Sequence, residues 1–217
     1  MKKTTQMLLA AASGLALLLA SALAQAAPVE LMGLSADKPM ALDQPTRTLR
    51  YLAKVNGKYL HQPTRHASIW EGGKFGDKAV FTAMVKPDDF RRALLSLGYK
   101  PGDNMTMDNK ETTAVQGDEL AVSVTWAGAA KAHGLDEVIL DSNKKPMRIR
   151  FGGNQENSLK HNTGCLICLD SCPVGIASNA TYTYGAVENR GEVGFVGNAK
   201  LLPPDGTLVV ITVSPKQ

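Results

Sequence analysis

The sequence predicts an α+β fold: a mainly antiparallel sheet, one principal helix and an irregular cysteine-containing insertion. Three observations carry this reading. Short apolar runs with strand period recur along the chain. One stretch, residues 87–97, combines helical period with helix-terminal chemistry. From residue 152 to about residue 180 neither period holds, and that segment contains all three cysteines. Many short strands with one good helix make a layered α+β domain rather than a helical bundle.

The chain opens with Lys2-Lys3, continues as an apolar run from Met7 to Leu23 and reaches Ala24-Gln25-Ala26. A basic start, an apolar middle and a small-x-small end are the parts of a secretory signal peptide. Residues 1–26 are therefore expected to be cleaved, leaving residues 27–217 as a single periplasmic or secreted domain. Without Lys2 and Lys3 the 24 basic residues become 22 against 20 acidic ones, a net charge of +2. That charge is too small to imply a nucleic-acid partner. No cysteine follows the cleavage region, and no later stretch reaches the roughly 20 apolar residues of a membrane helix. No membrane anchor is expected.

Residues 28–44 read as an entry segment with one short strand. Residues 49–55 alternate nearly at strand period, and Asn56-Gly57 after them is a strong signal for a tight hairpin. Residues 79–85 form another apolar run and predict a strand. In residues 87–97, Pro87 suits the first helical turn, and Asp88 and Asp89 sit at the positive end of the dipole. Phe90, Ala93, Leu94 and Leu97 share one face, and Gly98 ends the helix. Residues 120–126 (LAVSVTW) alternate cleanly. Residues 135–140 and 147–151 predict two further strands, and residues 208–213 a last one.

The cysteines carry the chemistry. Cys165, Cys168 and Cys172 fall in the run GCLICLDSCP, spaced C-x2-C-x3-C-P. The bacterial ferredoxin run is C-x2-C-x2-C-x3-C-P. Aligned from its end, this sequence supplies the last three ligands and the proline, with Asn162 in place of the first ligand. Three thiolates can hold a [4Fe–4S] cluster with one iron open. His161, Cys165, Cys168 and Cys172 are also spaced to share a helix face, and three Cys with one His make a tetrahedral zinc set. Three soft thiolates alone suit Cu(I). A short turn of helix over residues 165–171 is expected, with Cys165 near its N-terminus, where the dipole lowers a thiol pKa. The compartment supports another use: in oxidising surroundings Cys165 and Cys168 would form a disulfide, redox-active or structural, with Cys172 left over.

Other candidates are weaker. His61 and His66 flank Pro63-Thr64-Arg65 and read as residues of a solvated loop. His133 before Gly134 reads as a helix-capping feature. Gly72-Gly73-Lys74-Phe75-Gly76 lacks the Lys-Ser/Thr ending of a phosphate loop and reads as a turn. Met105-Thr106-Met107 has the spacing of soft-metal thioethers, but core packing accounts for it. No Ser/His/Asp set or paired carboxylates point to hydrolase or transferase chemistry. The residues describe an exported metal- or iron–sulfur-binding protein, an accessory to redox or metal metabolism rather than an enzyme. Membrane-bound redox or transport proteins are its expected partners. The competing readings are a thiol–disulfide redox protein using the C-x2-C pair and a non-catalytic module with a structural disulfide.

Three stretches of the chain resemble the YdjY-domain family of exported bacterial proteins. They are residues 87–104 (PDDFRRALLSLGYKPGDN), residues 117–126 with 145–154 (KPMRIRFGGN), and above all residues 164–179 (GCLICLDSCPVGIASN). Members of that family are often labelled ferredoxin-like from the cysteine run. Many relatives lack the cysteines, which implies that the fold does not depend on them and that they form a site grafted on it.

Overall fold

A computed structural model describes residues 30–216; the expected signal peptide, residues 1–26, lies outside them. Twelve strands and three short helices follow in chain order. They are β1 (Met40–Asp43), β2 (Thr48–Val55), β3 (His66–Trp70), β4 (Phe81–Ala83), α1 (Pro87–Ser96), β5 (Leu120–Trp126) and β6 (His133–Gly134). Then come α2 (Leu135–Val138), β7 (Ile139–Asp141), β8 (Ile149–Phe151), α3 (Gln155–His161), β9 (Cys165–Cys168), β10 (Ala177–Asn179), β11 (Phe195–Gly197) and β12 (Leu208–Pro215).

Ten strands form one sheet in the order β6-β5-β12-β2-β4-β3-β9-β10-β8, with β1 beside β2. The pairs β3/β4 and β9/β10 are parallel and the other pairs antiparallel. The sheet curls into a half-barrel. Its last strand, β8, reaches the residues just before β5: Phe151 N–H donates to the Asp118 carbonyl at 2.9 Å, and Glu119 bridges to Arg150. β7 and β11 make a separate two-stranded ribbon.

The apolar alternation explains which face turns inward. Leu49, Tyr51, Ala53 and Val55 of β2 join Val209, Ile211 and Val213 of β12 in the main core. Leu52 and Val210, one residue out of phase, pack on the opposite face with Leu34. Helix α1 presents Phe90, Ala93 and Leu94 to the main core, and Phe90 meets Tyr51 edge-on with ring centroids 5.5 Å apart.

The α+β expectation is corrected by this architecture. The described chain is mostly β, 31% strand and 13% helical, and its helices are minor elements rather than one principal helix against a sheet. The expected insertion is not irregular either. It contains α3, β9 and β10, and both strands lie inside the large sheet. Leu166 and Ile167 belong to the main core, on a strand with no exposed face, so no alternation marks it. The Asn-Gly hairpin is replaced by a 3-10 turn, Gly57–Leu60, capped by the Asn56 side chain. Asn56 is extended at φ −102°, so neither hairpin-turn geometry nor a tight reversal forms there.

Candidate functional site

Cys165 and Cys168 sit at either end of β9, and His66 opens β3 beside it. The β3/β9 ladder pairs His66 with Cys168, Ser68 with Ile167 and Ile69 with Cys165, so each strand carries one extra residue. That irregularity decides the chemistry. In a regular strand residues three apart point to opposite faces. The extra residue in β9 brings both thiols to one side. Cys165, Cys168 and Cys172 cluster there with Ile69 and Ala79, while Leu166 and Ile167 face the main core. The expected helical turn over residues 165–171 is therefore absent, and with it any helix dipole at Cys165.

His66 Nδ1 stands 3.7 Å from Cys165 Sγ and 3.9 Å from Cys168 Sγ. The three ligand atoms all lie within 4.8 Å of one another. All three cysteines are free thiols and each is at most 1% exposed. His66 is 7% exposed and was hidden in the sequence by its loop-like surroundings. The signal available was the run His66-Ala67-Ser68-Ile69-Trp70, a strand pattern after Pro63. His161 closes α3 and is exposed. It lines the same cavity as Cys172, but neither residue belongs to the three-atom group. His133, expected as a helix cap, is instead a buried strand residue bonded to Glu137.

The surroundings hold these groups in place. Gly73 and Gly164 touch back to back: a Cβ on Gly73 would lie 2.4 Å from the Gly164 Cα. The contact lets Phe75 N–H reach the Thr163 carbonyl and Trp70 N–H the Gly164 carbonyl, pinning the β3–β4 loop over the site. Asn154 donates to the carbonyls of Cys172 and Gly175, both at 3.0 Å. Cys172 N–H donates to Ser178 Oγ, and Asn179 to the Leu169 carbonyl. The segment after β9 is thus tied down on both sides, as a preorganised site requires.

The electrostatics favour thiolate at Cys165 and the protonated thiol at Cys168. A hydrogen bond from Cys168 holds the Cys165 thiol well below its ordinary pKa; burial opposes this and His66 adds to it. Cys168 is pushed well above its ordinary value by hydrogen bonds with Cys165 and Cys172 and by burial. Beside them Arg65 bonds Asp170 through Nε at 3.1 Å and Nη2 at 2.6 Å and stacks 4.2 Å from the Tyr184 ring centroid. Burial works against the Arg65 cation, but Cys172, Asp170 and Cys168 outweigh it and raise its pKa. Burial raises the Asp170 carboxyl, with Arg65 pulling it back. Above the thiols lies a cavity of about 320 Å³, bordered by His66, Cys165 and Cys172.

Two soft thiolates and one imidazole can hold a metal ion. Ligand atoms around one tetrahedral ion stand roughly 3.5–3.8 Å apart, given bonds of about 2.0–2.3 Å. The His66–thiol distances, 3.7 and 3.9 Å, lie within a few tenths of an ångström of that spacing. A cluster would attach each thiolate to a different iron and hold the sulfurs farther apart.

Comparison with known proteins gives a family and no assigned activity. The chain matches the YdjY domain over residues 40–214. It is 54% identical over 187 residues to "Uncharacterized protein YdjY" of Escherichia coli (strain K12), covering 86% of this chain and 83% of that protein. No solved structure matches.

Proposed function

The chain belongs to the YdjY-domain family, and from that footing we propose that it is an exported metal-binding protein in which His66, Cys165 and Cys168 hold a single soft or borderline ion, Cu(I) or Zn2+. The observation that carries this is the approach of His66 Nδ1 to both thiols, at 3.7 and 3.9 Å. A buried imidazole that meets two sulfurs at ligand spacing is arranged for an ion more than for packing. The lowered Cys165 thiol supplies one thiolate, and Cys168 releases its proton when the ion binds. Export rests on the basic, apolar and small-residue parts of residues 1–26. Cys172 and His161 stay at the cavity wall and rim, the first as a neighbouring thiol. The role that fits such a site is handling of metal for exported redox or metal metabolism, through membrane-bound partners.

The test is anaerobic purification from a periplasmic extract without added metal, followed by metal analysis and absorption spectroscopy. One equivalent of zinc or copper on a colourless protein, lost in Cys165→Ser, supports the proposal. A visible iron–sulfide band with stoichiometric iron overturns the mononuclear site in favour of a cluster.

One observation favours a second reading. The low pKa of Cys165 beside the high pKa of Cys168 is the division between an attacking thiolate and its thiol partner in dithiol redox proteins. A metal-free protein with one reducible Cys165–Cys168 disulfide that turns over a substrate disulfide would establish it.

A further inference from the structure

The cavity above the thiols has a cationic rim that the metal site does not need. Lys74 and Lys78 both border it and both are exposed. Their ammonium groups stand 5.8 and 4.8 Å from the centroid of the same ring, Phe75. Among the described residues neither has a carboxylate within ion-pair distance. Two cations at the mouth of a cavity, neither paired with a carboxylate, make that mouth attractive to an anion. Of the acidic residues, the cavity wall carries only Glu188, which faces Arg65 at 3.9 Å. Arg65 is itself spent on Asp170.

The floor of the cavity adds a second requirement. The His66, Cys165 and Cys168 group offers three ligand atoms, and an ion with three protein ligands keeps an open position. His66 and Cys165 border the cavity, as does Cys172, so a molecule in it reaches two of the three ligand residues. A soft ion prefers a soft donor at its open position. The volume, about 320 Å³, lies at the low end for ligand sites and admits a small molecule.

We propose that the cavity binds a small anionic thiol, whose sulfur completes the coordination of the ion held by His66, Cys165 and Cys168 and whose carboxylate lies between Lys74 and Lys78. This rests on the metal reading given above and names the class of ligand that would bring the ion or take it away. The step is a ligand exchange: the incoming thiol forms a sulfur–metal bond, solvent leaves the open position, and the thiol proton passes to solvent. No oxidation state changes.

Cobalt(II) serves as the spectroscopic stand-in for the ion, and two probes separate sulfur from charge. The cobalt-loaded mature protein is titrated anaerobically with mercaptoacetate and, separately, with 2-mercaptoethanol, following the thiolate-to-cobalt absorption. Both thiols should add to the spectrum, with mercaptoacetate about tenfold the tighter. The variant Lys74→Gln/Lys78→Gln, altered only at exposed positions, should load cobalt normally and bind both thiols equally. Lys74→Arg/Lys78→Arg should restore the preference. Equal affinities in the unaltered protein would overturn the anion claim and leave the metal reading standing. No spectral response to either thiol on a cobalt-loaded protein would mean that Cys172 fills the open position, which also overturns it. Failure to bind cobalt, zinc or copper at all would sink the metal reading itself, and this inference with it.

Discussion

Two histidines of this protein are almost equally buried, and they have opposite meanings. His133 is 9% exposed and His66 is 7% exposed. Each lies on a strand of the same sheet. His133 is fully engaged: its Nδ1 meets Glu137 Oε2 at 2.9 Å, and its ring stacks on Trp126 at 5.3 Å between centroids. Among the described residues the His66 ring meets two sulfurs and no oxygen. A thiol is a weak hydrogen-bond partner and a strong metal ligand once deprotonated. Burial alone therefore says nothing about function. What separates the two sites is whether the partners around the imidazole already satisfy it.

The largest expected effect comes from removing ligands on one side of that comparison. Cys165→Ser and Cys168→Ser should each lower metal affinity by more than about 100-fold, beyond the loss typical of outer-shell changes. His66→Ala should do the same, while His133→Ala should leave metal content unchanged. Competition against a chelator of known affinity measures this. Equal losses at both histidines would erase the distinction. Affinity should also rise with pH while the raised Cys168 thiol remains protonated in the metal-free protein, because binding must displace that proton.

The next effect concerns the frame of the thiol site. Asp170 is fully buried and its charge is balanced by Arg65. Asp170→Ala takes away the guanidinium's buried partner, leaving only the exposed Glu188 at 3.9 Å, and should cost about 3 kcal/mol of stability in urea unfolding. Smaller again is Gly73→Ala, whose new Cβ meets backbone 2.4 Å away rather than a movable side chain. It should cost about 1–3 kcal/mol and loosen the β3–β4 loop, so metal affinity should fall with it. A Gly73→Ala protein of unchanged stability would show that the two glycines do not need to touch.

Part of this was legible in the sequence. The sequence places strand β5 at residues 120–126, and β2 and α1 within a residue or so, because each keeps a clean period, broken in β2 only by Leu52, which packs on the opposite face. Strand β9 gave no such signal, since Cys165, Leu166, Ile167 and Cys168 are all buried. Its Gly, Asn and Pro neighbours read as loop. Residues 135–140 looked like one strand, but Asp136 and Glu137 start the short helix α2, where Glu137 reaches back to the Gly134 N–H. The cysteines could be singled out by composition alone. Their imidazole partner could not, because His66 is 99 residues from Cys165 and only the sheet order joins them. A local spacing argument favoured His161 for the same reason: it sees neighbours in sequence and no others.

The smallest expected effect tests the other histidine. Glu137 is held below its ordinary pKa by its hydrogen bond with Lys131 first and with His133 second. A carboxylate whose folded-state pKa is lowered stabilises the fold above its unfolded value, and that contribution is lost as pH falls through the folded-state value. Glu137→Gln should therefore lie slightly below the parent protein in Tm at neutral pH, and the two curves should converge in acid. Metal content should be the same in both at every pH, since Glu137 bonds Lys131, His133 and the Gly134 N–H and nothing of the thiol group. If Glu137→Gln changed metal affinity, the two imidazole sites would be coupled through the sheet. A gap in Tm that widened in acid would reverse the sign of the ion pair and with it the account of His133 as a satisfied structural residue.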